Sequence, residues 1–224
     1  MKLKSLLYEA AQPEFEVVKL KFKFDDYRPF DADTMKLHYN KHYKGYTEKL
    51  NKAIKDENIP VAFDEHMGGI RRILNSVSQY SDTVRNNGGG FFNHTLFFNG
   101  LNPEHKGKIE EGRLQELLVE QFGSMDKLQA AFKEAALAHF GAGWCWLMFD
   151  KGRFYITTTA NQDNPYMDVV YAPGDIIIAL DLWEHSYYLK YKNDRGKYID
   201  DYFKLVCWEM AADRLRRAEQ RLTY

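Results

Sequence analysis

In 144-WCWLMFDKGRFYITTT-159, aromatic and β-branched residues crowd two runs that meet at Asp150-Lys151-Gly152. Runs of this composition read as β-strands, and the junction reads as the turn of a hairpin. A third run of the same kind, 175-DIIIAL-180, follows after an irregular stretch. Strands so few and so local favour a small antiparallel sheet over a parallel one.

Upstream of these strands the period is helical. A helix is expected from Thr34, as its N-cap, to about Asp56, and a break at 57-ENIP-60 leads to a second over about 64–84. The segment 85-RNNGGGFFNHTLFFNGLNP-103 holds a glycine run that permits either a close backbone approach or a sharp turn, with helix resuming after it. Asn99-Gly100 and Pro103 then mark a boundary. It divides the chain into an arm and helical domain over 1–102 and an α/β domain over 103–224, an α+β fold. Further helices are expected at about 109–121, at about 124–140, opened by Ser124 with Asp126 in its first turn, and at about 199–221, whose RLRRAEQR end reads as a solvated face. Ahead of the first helix, Pro13, Pro29 and the alternating KLKFKFDD argue for an extended arm.

Composition narrows the function classes. The 31 basic and 32 acidic residues nearly cancel, so no overall field draws nucleic acid or an anionic membrane. Aromatics at 15% point to a dense core, a subunit interface, or both. Cys145 and Cys207 lie far apart in aromatic contexts and read as buried free thiols, which suits a reducing compartment. The opening MKLKSLLYEAAQPEFE carries too short an apolar run for a secretion signal, and nothing later is long enough to span a bilayer. A cytoplasmic protein is expected.

Histidine falls on an apolar face in three places. His38, His42, Tyr46 and Leu50 recur every four residues and share one helix face. Phe91, His94, Phe98 and Leu101 make a second. The third is 181-DLWEHSYY-188, with Asp181 and His185 four apart at the exit of a strand. Each alone fits a packed core histidine as well as a site. With 32 acids and 7 histidines in 224 residues, about one acid-to-histidine pair at this spacing arises by chance, and there is one. Taken together, two helices and a strand end could deliver His38, His94, Asp181 and His185 to one buried point. Neutral imidazoles with one carboxylate suit a first-row transition metal. His66, His105 and His139 sit among charges or small residues and read as surface.

The segments 37-LHYNKHYKGY-46, 88-GGGFFNHTLF-97, 141-GAGWCWLMF-149 and 180-LDLWEHSYYLKYKNDRGKY-198 resemble the iron/manganese superoxide dismutases, in the family's order and at similar spacing. The resemblance implies a helical hairpin domain, an α/β domain with a three-stranded antiparallel sheet, and one manganese or iron ion between them. It implies His38, His94, Asp181 and His185 as ligands, with a solvent molecule as the fifth. It makes His42 and Tyr46 the gateway pair and Trp144, Trp146 and Trp183 the aromatic shell. It implies a homodimer in which Glu184 reaches His185 of the partner subunit and Tyr188 reaches His42 of the partner subunit, with pairing into a tetramer left open. The implied reaction turns superoxide into dioxygen and hydrogen peroxide, tuned by a side-chain amide. Gly90 offers none, so Gln162 supplies it, the manganese-type pattern. Lys41, Lys44 and Arg195 are candidates for steering the anionic substrate. Tyr43 stands where many relatives carry a histidine, and Gly196 replaces a common proline. Two other classes fit parts of the pattern: a mononuclear zinc hydrolase, and a non-catalytic relative that keeps the fold.

Overall fold

The protein is seen in a computed structural model that describes residues 14–61 and 67–222. Residues 14–23 form no regular element and lie along the first helices as an arm. Asn51 holds the arm by both groups of its amide: Oδ1 accepts from Phe15 N and Nδ2 donates to Phe15 O. Ala32–Leu37 (α1) and Lys44–Asp56 (α2) continue one another through a π-helical segment, His38–Tyr43. The cap is Asp31, whose carboxylate accepts from Thr34 N at 2.8 Å, so the helix starts before Thr34 and not at it.

The π segment corrects the expected stripe. Its i→i+5 repeat puts Tyr43 on the face of His38, and Tyr43 is fully buried while His42 turns half outward.

The expected helix over about 64–84 is two helices, Gly68–Leu74 (α3) and Asp82–Asn99 (α4), and positions 64–66, including His66, lie outside the described residues. Between them Ser76 leaves helical geometry, and the Asp168 carboxylate takes both Ser78 N and Ser78 Oγ. Ser81 then caps α4 through Val84 N. The glycine run does not turn the chain. Gly88, Gly89 and Gly90 are inside α4, where their missing side chains let neighbours close in. A Cβ on Gly90 would stand 2.4 Å from the Tyr46 ring. Tyr39 against Phe98, Tyr43 against Thr95 and Leu50 against Gly88 show that α4 runs back along α1–α2 as a hairpin.

Arg113–Phe122 (α5) and Met125–Ala138 (α6), the second capped by Ser124, lead into the sheet. Its strands are Gly143–Asp150 (β1), Arg153–Ala160 (β2) and Asp175–Asp181 (β3), antiparallel, with β1 central. Burial on both faces explains why β1 is continuously apolar while edge strand β2 is mixed. Lys151 and Gly152 both take positive φ, the backbone a two-residue hairpin turn requires.

Tyr188–Tyr191 (α7), Arg195–Phe203 (α8) and Trp208–Leu222 (α9) complete the fold. The expected last helix is thus broken at 204–207. There the backbone pairs with the end of the helical half: Asn102 N donates to Leu205 O, Cys207 N to Gly100 O, and Leu101 bridges Val206. Groups used in this way cannot continue a helix. Nor is RLRRAEQR only a solvated face. The Arg214 guanidinium turns inward, giving Nη1 to Ile177 O at 2.9 Å and Nη2 to Leu96 O at 3.0 Å. It ties β3 to α4, and so the strand that ends in Asp181 to the helix that bears His94.

Candidate metal centre

Three chain segments meet at one carboxylate oxygen. Strand β3 ends at Asp181, where Tyr198 OH and Ser186 Oγ donate to its carbonyl. Trp183 N donates to Asp181 Oδ1 at 2.8 Å, which leaves Oδ2 as the end facing inward. His38 Nε2 lies 2.9 Å from Oδ2, His185 Nε2 3.1 Å and His94 Nε2 3.6 Å. The four donor atoms all fall within 4.8 Å of one another. His38, His94 and Asp181 are buried, while His185 keeps a small solvent-facing edge.

Hydrogen bonding says which atoms are spare. His94 Nδ1 lies 2.7 Å from Gly90 O, a group that can only accept, so Nδ1 carries the proton and Nε2 presents a bare lone pair. Neither His38 Nε2 nor His94 Nε2 has an aligned hydrogen-bond partner, although both are fully buried. Two orphaned buried nitrogens are costly unless something else fills the gap. Burial also pushes the pKa of His38 down and that of His94 well down, so both stay neutral, the ligand form. For Asp181, burial alone would raise the pKa, but the His185 imidazole beside its carboxylate, followed by that of His38, outweighs this and holds it below the usual carboxylate range. Three imidazole nitrogens and one carboxylate oxygen at this spacing fit a single first-row transition metal ion.

Around the four, the other expected residues take distinct places. His42 stacks on His185 with ring centroids 3.9 Å apart, and burial pushes its pKa down to about 4. Tyr46 lies over His94, centroids 5.2 Å apart, and burial followed by the Asp181 charge raises its pKa, so it stays a phenol at neutral pH. Gln162 is buried, and its Oε1 accepts from Trp144 Nε1 at 3.1 Å and Asn93 Nδ2 at 3.3 Å. The amide is thereby oriented, with Nε2 turned inward and 3.2 Å from Tyr46 OH. Trp144 and Trp146 are fully buried, and Trp183 stacks on His185 while its Nε1 donates to Asn161 O. Lys41 and Lys44 are exposed, and Lys44 faces Glu48 at 3.8 Å. Arg195 is a tether, bonded to His139 O, Gly141 O and Tyr187 OH. His105 and His139 lie outside the cluster.

Some members of the site carried no sequence signal. Asn93 is fully buried and bonds Gln162 through both its backbone and its side-chain oxygen, yet it reads as any polar residue before a histidine. Gly89 is a second: a Cβ there would meet Gln162 O at 2.0 Å. The glycine run was the available clue.

Residues 14–102 match the family described as iron/manganese superoxide dismutases, alpha-hairpin domain, and residues 110–214 match the C-terminal domain of the same family. The chain is 37% identical to a protein of Acinetobacter baylyi named "Superoxide dismutase [Mn]", over 96% of this chain and 92% of that one. It is 39% identical to a protein of Listeria innocua with the same name, over 92% of this chain and 99% of that one.

Replacing His94 with Ala removes one of the four donor atoms while leaving the apolar contacts of α4. Metal affinity is expected to fall at least about 100-fold, with most of the far-ultraviolet helical signal retained. Metal analysis after dialysis checks this, and one ion per chain in His94→Ala would exclude His94 as a ligand.

Proposed function

This chain belongs to the iron/manganese superoxide dismutases, and from that membership we propose how its own residues divide the work. It is a metal-dependent oxidoreductase that converts superoxide to dioxygen and hydrogen peroxide. The observation that carries the reading is the set of four converging donors, two of them buried nitrogens without a hydrogen-bond partner. His38, His94, Asp181 and His185 are the proposed ligands of one ion per subunit. Manganese is the proposed ion, as in the names of the two relatives and from the absence of a side chain at Gly90. Iron can take the same four donors. When bound, the ion supplies a one-electron couple that accepts an electron from one superoxide and returns it to the next.

The remaining chemistry belongs to side chains. His42, stacked on His185, and Tyr46, lying over His94, are the proposed gateway pair. Tyr46, kept as a phenol by burial, holds a proton at its hydroxyl oxygen beside the substrate path. Gln162 points its amide hydrogens into the same space, because Trp144 and Asn93 occupy its oxygen. A fixed donor in a dry site stabilises the more negative of two charge states over the other, and so sets the potential. Trp144 and Trp183 exclude water from the ligands. Lys41 and Lys44 add positive field outside the approach.

A homodimer is the proposed assembly. Glu184 is exposed and its carboxylate has no partner among the described residues, although it adjoins His185. Tyr188, Leu189 and Leu37 are large apolar side chains left about half exposed on α7 and α1, which pack together. An isologous contact would cover them, letting Glu184 orient His185 of the partner subunit and Tyr188 reach His42 of the partner subunit. We place the domain boundary between residues 102 and 103, supported by the gap between the two family matches. No described helix is long and apolar enough to cross a membrane. The proposed compartment is the cytoplasm, supported by two free cysteines.

Glu184→Ala is expected to weaken the dimer at least about tenfold and to lower metal occupancy in the same sample, since both follow from one lost carboxylate. Sedimentation and metal content measured together test it; an unchanged dimer with full metal would mean that Glu184 faces something else. For Gln162→Ala, turnover should drop on the order of 10- to 100-fold and the reduction potential should move, while metal content stays near one per chain. Potentiometric titration of both proteins loaded with the same metal decides this. Superimposable curves would reduce Gln162 to a loop residue.

A further inference from the structure

The loop that carries Gln162 is gripped by α4 at three levels. Next to His94, Asn93 Nδ2 donates to Gln162 O at 3.0 Å. One turn earlier, the α4 backbone at Gly89 lies so close that a Cβ would meet the same oxygen at 2.0 Å. One turn earlier still, Arg85 reaches Asp163, the residue after Gln162. Its Nε donates to Asp163 Oδ1 at 2.8 Å and its Nη2 to Oδ2 at 2.7 Å. This is a fork-to-fork pair, which fixes orientation as well as distance. From the other side, Thr159 Oγ1 donates to Asp163 O, and Trp146 Nε1 holds Thr159.

We propose that the Arg85–Asp163 pair is a positioning device for the reaction: it locks the Gln162 loop to the helix that bears His94, and so sets where the Gln162 amide stands relative to Tyr46 and the four ligands. The inference rests on the reading of Gln162 as the tuning amide. A solvent-facing ion pair adds little stability, and Arg85 keeps 36% and Asp163 20% of side-chain exposure, so energy alone gives such a pair a small role. Its geometry gives it a larger one. Gln162 Nε2 meets Tyr46 OH at 3.2 Å, near the limit of a good hydrogen bond, and Gln162 Oε1 shares Asn93 at 3.3 Å. Contacts this long change strongly when the backbone beneath them shifts by a few tenths of an ångström. The inner contacts fix how near the loop lies to α4. The outer fork stops it pivoting about them.

The test uses the metal-loaded protein and two variants. Arg85→Lys keeps the charge and loses the fork; Arg85→Met with Asp163→Asn removes both charges and leaves the net charge unchanged. Each is also made in a Gln162→Ala background, and reduction potential and melting temperature are read for all. Expected is a change of about threefold in the oxidised-to-reduced ratio at fixed potential, about 28 mV at about 59 mV per tenfold, in both variants carrying Gln162. In the Gln162→Ala background that change is expected to vanish. A fork that merely stabilises the fold would lower the melting temperature and leave the potential alone, which overturns the proposal. A shift that persists without Gln162 overturns it too, because the pair would then act through its field. If Gln162→Ala moves the potential and the fork variants do not, only this inference falls; if Gln162→Ala moves nothing, the tuning role falls and this inference with it. Arg85→Lys is the milder change and keeps the test open should the double substitution fail to fold.

Discussion

Asp181 Oδ2 has three imidazole nitrogens within 3.6 Å of it, in a place where its own residue is wholly buried. Two of these nitrogens, on His38 and His94, are buried without an aligned partner, which is unfavourable unless a cation takes the space between them and the carboxylate. The fold brings the members from separate elements: His38 from the first helical segment, His94 from the returning helix, Asp181 and His185 from the end of β3 and the turn after it. Those elements are tied to one another. Arg214 joins β3 to α4, and Tyr198 and Tyr202 donate to carbonyls at Asp181 and Ala179. Free energy spent in assembling the donors without an ion is recovered when the ion binds, so metal affinity and stability of the two halves against each other are linked.

Around that centre, much of the specificity comes from close approach of backbone. Glycines at 89 and 90 let Gln162 O and the Tyr46 ring sit where side chains would otherwise stand. Gly90 also lends its carbonyl to His94 Nδ1, fixing the tautomer. A single helical turn therefore orients His94, admits the Tyr46 ring and bounds the Gln162 loop. Any side chain at 90 must displace Tyr46, so this position couples the choice of residue to the position of a proton-bearing group. Trp144 adds the last constraint, since its indole N–H occupies the Gln162 oxygen and leaves only the NH2 to face inward.

The sheet was legible in the sequence because β1 is buried on both faces and its hairpin carries Lys151-Gly152, and the four donors were legible because three histidines broke apolar faces. Other features were not. The π segment follows no residue preference that distinguishes it from α-helix, so a period of 3.6 placed His42 inward and overlooked Tyr43. The break at 204–207 depends on pairing with residues 100–102, about a hundred positions away, which no local pattern records. Arg214 looked solvated for the same reason: its partners are carbonyls of Ile177 and Leu96, and a carbonyl leaves no trace in composition. Asn93 and the Arg85–Asp163 fork are likewise tertiary. The glycine run was ambiguous between turn and approach until the neighbours that fill it were known.

The most direct measurement is reconstitution of one stripped preparation, divided and loaded separately with manganese and with iron, followed by metal content and superoxide consumption on the same samples. A dismutase built on these four donors should bind one ion per chain, show no activity without it, and with manganese release dioxygen and hydrogen peroxide in equal amounts as superoxide disappears. Stoichiometric metal with no superoxide consumption in either sample, or consumption that survives removal of the metal, would contradict it.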